Sequence, residues 1–275
     1  MKYKSDPIFV IGSGRCGTRS LFKIFNKIEN VKAYHEYLCE LVQKQACKKM
    51  MGITNKAQNI KFLKEYYESA ISYENKPFWI DCSNKLSWFI PELKEIFPNS
   101  KFILLLRDGR KVTSSFFNKL KPEIYENKSV KVMEMWMKSK EKKEPPTEKA
   151  YWWILPRYYK LAKDLSKYDQ YQKICWHWKT SNTYALDELA KLDSNDYRII
   201  KLEKLINSRS NQIKLFQFIG LEYQSIYFKM LSRPENVFVP YDFKLNNKQI
   251  KQFSTICDKL MKYLNYSGKE YDVKY

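Results

Sequence analysis

Lys101–Leu106, KFILLL, carries no polar residue after its first position. A run so short and so apolar reads as a strand covered on both faces, and such strands belong to parallel sheets packed between helices. Parallel strands need long crossovers, and the chain supplies them, because apolar runs alternate with stretches of helical spacing. The expected class is α/β, with a mainly parallel central sheet flanked by helices.

The same pattern opens the chain. Pro7–Ile11 is an apolar run with β-branched members, Gly12-Ser13-Gly14 breaks it, and Cys16–Lys27 has helical spacing with Leu21, Ile24 and Phe25 on one side. A strand, a glycine turn and a helix start leave several backbone N–H groups unpaired and pointing one way, with the helix dipole behind them. Arg15 lies inside that turn, and Thr18 and Ser20 add hydroxyls, so the turn reads as a phosphate cradle. The Walker loop needs Gly-x-x-x-x-Gly-Lys and then Ser or Thr. Gly12 and Gly17 have the spacing, but Thr18-Arg19 stands in place of the lysine and hydroxyl. The cradle is therefore expected to take phosphate without an ATP–Mg²⁺ unit. A plain structural turn is the alternative reading.

After KFILLL come Arg107-Asp108-Gly109-Arg110 and a helix carrying Val112, Ser115 and Phe116. Ligands of open parallel sheets sit at the carboxyl ends of adjacent strands. Two such turns facing one crevice suit a ligand with phosphates at both ends.

Between and beyond these units, Asn30–Tyr37 reads as a second strand or loop and places His35 and Glu36, two proton-transfer residue types, side by side. Lys56–Ser72 reads as an amphipathic helix, Phe78–Cys82 as a strand leading to Lys85, and Leu86–Phe97 as a helix. Residues 123–156, rich in Met, Lys and aromatics, read as an insertion on the substrate side of one domain spanning 1–275; a core helix with a solvated charge run fits equally. Tyr168–Leu192 reads as a long helix in which His177 is packed rather than catalytic. Tyr197–Leu202 is the next strand, Leu221–Phe243 is irregular, and Lys248–Tyr263 is a closing helix with Ile250, Phe253, Ile256, Leu260 and Tyr263 on one side.

The formal charge of +20 calls for an anionic partner: nucleic acid, anionic glycan, phosphorylated nucleotide or membrane surface. Six scattered cysteines form no C-x-x-C pair, and only two histidines are present, so no zinc site is expected. Reduced thiols in the cytoplasm fit this usage. With a strand starting at Pro7, no signal peptide, membrane anchor or span is expected.

GSGRCGTRSL followed by LLRDGRKVTSSFF resembles the sulfotransferases that use 3′-phosphoadenosine 5′-phosphosulfate (PAPS). The family's first loop, Gly-x-x-Lys/Arg-x-Gly-Thr and a later Leu, is met by Gly12, Arg15, Gly17, Thr18 and Leu21. Its second element, an Arg with a Ser eight residues on, is met by Arg107 and Ser115. YRIIKLEKLI and the final LNY resemble later parts of the family, so the likeness runs across most of the chain. Arg19 departs from a common second threonine, and no Arg-Lys-Gly segment stands near the C-terminus, so bacterial and Golgi-type branches are closer than the cytosolic small-molecule branch.

The resemblance implies a P-loop-like sulfotransferase fold with a helical insertion, PAPS as sulfate donor, PAP (adenosine 3′,5′-bisphosphate) as product and no metal. It implies that Gly12, Ser13, Gly14, Arg15, Cys16, Gly17, Thr18, Arg19 and Ser20 hold the 5′-phosphosulfate, while Arg107 and Ser115 hold the 3′-phosphate. Arg15 would also stabilise the leaving phosphate. The base would be Glu36, with His35 as the alternative, and Lys85 would reach the sulfate or acceptor, an exposed lysine without a role being the other reading. The acceptor would be a hydroxyl on a carbohydrate, lipid, tyrosine or other small molecule. A P-loop kinase and a non-catalytic nucleic-acid or glycan binder are the competing functions; nucleic acid is not the expected partner.

Overall fold

The computed structural model describes residues 5–120, 124–139, 144–146, 167–232 and 245–266. Five parallel strands form one sheet in the order β2-β3-β1-β4-β5: β1 Asp6–Ile11, β2 Val31–Tyr34, β3 Phe78–Cys82, β4 Lys101–Leu106 and β5 Tyr197–Lys201. Side chains alternate across a strand. Phe9, Ile11, Phe102, Leu104 and Leu106 therefore enter one core, and Ile8, Val10, Ile103 and Leu105 the other. β1 and β4 are buried on both faces, as their sequences required. β5 is an edge, with Ile199 exposed.

On the second core lie α1 (Thr18–Phe25), α9 (Leu202–Asn207), α10 (Arg209–Ile219) and α11 (Ile226–Ser232). The first core takes α2 (Cys39–Met50), α3 (Lys56–Leu63), α4 (Ser69–Tyr73), α5 (Ile90–Ile96), α6 (Gly109–Lys119), α7 (Asn127–Lys138), α8 (Gln170–Leu189) and α12 (Asn247–Tyr263). The chain runs from β1 to one side for β2 and β3, then crosses β1 to β4. That reversal puts the switch point, and hence the crevice, at the carboxyl end of β1.

Several elements differ from expectation for local reasons. The first helix begins at Thr18, because Cys16 is still in the loop and Gly17 caps it at φ 100°. Lys56–Ser72 is interrupted by a π-turn at Lys64–Glu68, which carries buried Tyr67. Leu86–Phe97 divides into a 3₁₀ turn, Asn84–Trp88, and α5, since Pro91 lacks an N–H and restarts the helix. α2 was not foreseen; its weak amphipathic pattern hides it, with Gln43 and Gln45 buried beside Val42 and Ala46. Residues 226–232, expected to be irregular, are helical. On α12 the buried stripe is Phe253, Ile256, Cys257, Leu260 and Met261, whereas Ile250 and Tyr263 are exposed near its two ends.

Within the segment expected as an insertion, α7 buries Val130, Met133 and Met137 in the first core and exposes Met135. That part behaves as core. Residues 123, 140–143 and 147–156 of the same segment lie outside the described residues.

Candidate active site

The cradle follows β1 directly. Gly14 (φ 83°), Arg15 (φ 55°) and Gly17 (φ 100°) all take left-handed backbone, which curls the loop around a common centre. Gly12 is required by close approach: a Cβ there would lie 2.6 Å from Cys16 Sγ and 2.7 Å from the Leu105 carbonyl oxygen. Ser87 Oγ lies 3.2 Å from both the N–H and the carbonyl oxygen of Gly12, tying the loop to the turn after β3. Behind the loop, His177 Nε2 lies 3.2 Å from the Ser13 carbonyl oxygen, and Nδ1 lies 3.0 Å from Tyr125 Oη. A carbonyl only accepts, so Nε2 carries a proton. His177 is packed, but its contact is with the cradle itself.

The two basic turns meet. Arg107 Nη1 donates to the Arg15 carbonyl oxygen at 3.0 Å, and Arg15 Nε donates to Ser115 Oγ at 3.1 Å. Burial pushes both guanidinium pKa values down; the charge of Glu203 works against this at Arg107, and Arg15 adds to it. Asp108 pairs with Arg110 and caps α6 by accepting from the Arg110 N–H at 2.8 Å. Glu203 accepts from the Asp108 N–H at 2.9 Å and from Tyr266 Oη at 3.3 Å. Lys119 is a third cation, one helical turn past Ser115 on α6. Burial and then the charges of Arg15 and Arg107 push its pKa down. Nothing in the local sequence marks Lys119; only the i, i+4 step from Ser115 places it on the same face.

Of the remaining cradle residues, Thr18 is buried, Cys16 packs inward with its thiol pushed up to about 11 by burial, and Arg19 is exposed. Cys16 can offer an anion its backbone N–H alone.

At the ends of β2 and β3 lies a separate group of ionisable side chains. Glu36 (φ 60°) sits just past β2. Its Oε1 accepts from Asn84 Nδ2 at 2.8 Å, and its Oε2 has the Cys39 thiol at 3.8 Å. Lys85 is 3% exposed, not a surface lysine; burial pushes its pKa down, and Cys39, Glu36 and Cys47 work against that. His35 packs against Phe22 at 5.8 Å, and burial pushes its pKa down while Glu36 works against this. Asp81, on β3, is fully buried and was not foreseen, since it is hidden inside an apolar strand.

All strands being parallel, the cradle, the Glu36–Lys85 group, Arg107 and Glu203 fall at the carboxyl end of the sheet. Largely buried cations beside hydroxyls and helix N-termini suit a polyanion; the Glu36 carboxylate beside them can take a proton. Among the described residues no group of three or more His, Cys, Asp or Glu side chains could hold a metal ion, and no helix is long and apolar enough to cross a membrane.

The sequence profile of the sulfotransferase family matches residues 7–142, which include the cradle, Glu36, Lys85, Arg107 and Ser115. Among solved structures, the chain is similar to a sulfotransferase from Mycobacterium avium at 10% identity and a TM-score of 0.56, covering 95% of this chain and 77% of that one. It is also similar to a sulfotransferase from Alicyclobacillus acidocaldarius at 12% identity and a TM-score of 0.52, covering 98% and 99%. At such identities the likeness is one of fold. No curated protein matches the sequence.

Proposed function

Because the chain is a member of the sulfotransferase family through residues 7–142, we propose that it transfers a sulfuryl group from PAPS to an acceptor hydroxyl. The observation that carries the donor assignment is the junction of the two basic turns, in which Arg107 holds the Arg15 carbonyl at 3.0 Å and Arg15 holds Ser115 at 3.1 Å. Two desolvated guanidinium groups with a lysine behind them repel one another, and a ligand carrying phosphates at both ends relieves that repulsion. Ser115 Oγ accepts from Arg15, so its own proton remains to be donated to an anion.

The donor supplies an activated sulfuryl group, and PAP is left when it is transferred. In this reading the cradle N–H groups, Thr18 and Arg15 hold the 5′ end, where negative charge grows as the sulfur–oxygen bond breaks. A fixed donor aimed at such charge is worth about 3 kcal/mol. Arg107 and Ser115 hold the 3′-phosphate and distinguish the donor from ATP. Glu36 takes the acceptor's proton: Oε1 is engaged by the Asn84 amide, and Oε2 has the weak thiol contact. Lys85 lies close enough to feel the Glu36 charge and places a buried cation beside the carboxylate. His35, its pKa pushed down by burial, is the alternative base.

The test is calorimetric titration with PAP in EDTA, followed by incubation with sulfur-labelled PAPS and a panel of glycans, lipids, peptides and phenols. Metal-independent PAP binding and label transfer are expected. A strict requirement for ATP and Mg²⁺ would instead make the chain a kinase.

A further inference from the structure

The turn that carries Glu36 is built against its own backbone preference. Glu36 (φ 60°) and Leu38 (φ 50°), neither of them glycine, both take the left-handed conformation on either side of Tyr37. Each such residue costs roughly 1–2 kcal/mol unless its surroundings hold it there. The holding is visible at Tyr37. Its N–H donates to Asp81 Oδ1 at 3.2 Å, and its carbonyl oxygen lies 3.1 Å from Tyr67 Oη. Tyr67 Oη is in turn 3.3 Å from Asp81 Oδ2. The π-turn at Lys64–Glu68 is what brings Tyr67 there, and π-turns recur where a helix must re-aim one side chain.

Counting protons decides the state of this triangle. Tyr67 has one hydroxyl proton, yet faces two oxygens, the Tyr37 carbonyl and Asp81 Oδ2. Both contacts are satisfied only if Asp81 Oδ2 is itself protonated and donates to Tyr67 Oη, which donates onward to Tyr37. We propose that Asp81 is the positioning residue of the Glu36 turn, holding it in its neutral form through Tyr67 and the Tyr37 backbone.

Burial drives the Asp81 carboxyl up to about 8, with the Tyr37 N–H and Tyr67 working the other way and the Glu36 charge adding to the rise. The ionisable groups around it are Tyr34 from β2, Glu36 and Tyr37 from the turn, Cys39 from α2, Tyr67 from the π-turn and Cys82 from β3. Lys85, from the turn after β3, is the cation of this group and acts on Cys39 and Glu36. Losing the proton would leave one Tyr67 hydroxyl proton for two acceptors, so Tyr67 turns to the carboxylate and releases the Tyr37 carbonyl, and it would add a buried negative charge beside Glu36.

This inference rests on Glu36 acting as base. Asn reproduces a protonated Asp, its oxygen accepting from Tyr37 and its amide donating to Tyr67, so Asp81→Asn is the central variant. Turnover is measured from pH 6 to 10, with PAP affinity as the control for folding. Wild-type turnover is expected to decline above pH about 8; Asp81→Asn is expected to keep the pH 7 rate and lose that decline. Asp81→Ala is expected to lose at least tenfold in kcat with PAP affinity unchanged.

An unaltered alkaline decline in Asp81→Asn, or its inactivity at pH 7 despite normal PAP binding, would overturn the proposal. Full turnover in Glu36→Gln would overturn the base assignment alone, and melting then still reads Asp81. A carboxyl at about 8 when folded and near 4 when unfolded keeps its proton longer in the native state, so stability falls as pH rises from about 4 to 8. Asp81→Asn should melt with a flatter slope across that window, and an unchanged slope would overturn the proposal.

Discussion

Arg107 reaches across from the end of β4 and donates from Nη1 to the Arg15 carbonyl at 3.0 Å, so the second basic turn holds the first in place. The two guanidinium groups are thus one unit, with Arg107 fixing the backbone from which Arg15 projects. Arg107→Ala should weaken PAP binding by about 2 kcal/mol or more, roughly 30-fold, the scale of a hydrogen bond to a charged group. Arg107→Lys keeps the charge without the planar fork and should recover only part of the loss. Titration calorimetry with PAP checks both, and unaltered affinity in Arg107→Ala would remove the 3′-phosphate assignment.

Lys119 should act through charge more than geometry, being partly solvated and one turn beyond Ser115. Its replacement by Ala is expected to weaken PAP binding about 3- to 10-fold, in line with one partly exposed cation near a phosphate. The slope of affinity against salt concentration should also become shallower. The measurement is PAP affinity at several ionic strengths, with replacement of exposed Lys138 on α7 by Ala as a control that leaves it unchanged.

The parts legible in the sequence were those with strong local signals. β1 and β4 announce themselves as apolar runs, and the glycines that the cradle needs stand beside the arginine that it presents. Glu36 and His35 were visible as residues, but the left-handed turn that carries Glu36 was not, because no glycine or asparagine marks it. Its support comes from Asp81 and Tyr67, distant in sequence and made neighbours by the sheet register and a π-turn. α2 leaves only a weak apolar pattern because glutamines occupy part of its buried face and are satisfied by other side chains, Gln45 Nε2 donating to Asn59 Oδ1 on α3 at 2.7 Å. Lys85 illustrates the opposite limit: lysines are usually solvated, and only the folded chain shows this one buried.

Gly12 should tolerate no side chain. A Cβ would press on Cys16 Sγ at 2.6 Å and on the Leu105 carbonyl at 2.7 Å, and the second of these is backbone in the centre of the sheet. Gly12→Ala is expected to cost about 1–3 kcal/mol of stability from overpacking. It should also displace the cradle. Gly12→Ala combined with Cys16→Ala removes the sulfur but not the carbonyl clash, so the pair should recover only part of the melting temperature. Full recovery would show that the sulfur contact alone requires glycine.

Cys39 gives a reading of the Glu36 carboxylate that does not depend on turnover. Its thiol lies 3.8 Å from Glu36 Oε2 and is only partly buried, so reagents can reach it. Burial pushes that thiol up to about 12, the Glu36 charge adds to the rise, and Lys85 opposes it. A raised thiol pKa means that the protonated, unreactive form persists to higher pH, since the thiolate is the nucleophile. In the native protein at pH 8, alkylation of Cys39 should therefore be slow and should quicken with each added pH unit. Glu36→Gln removes the Glu36 negative charge and leaves the opposing Lys85 charge in place, so the thiolate becomes easier to form and alkylation should accelerate severalfold at the same pH. Lys85→Met should shift the rate the other way. Peptide mapping after timed iodoacetamide treatment resolves Cys39 from Cys16 and Cys47, both buried and expected to stay unlabelled until the chain unfolds. Equal Cys39 rates in wild type and Glu36→Gln would mean that the carboxylate does not face the thiol, and the site geometry on which Glu36 was chosen as base would fail with it.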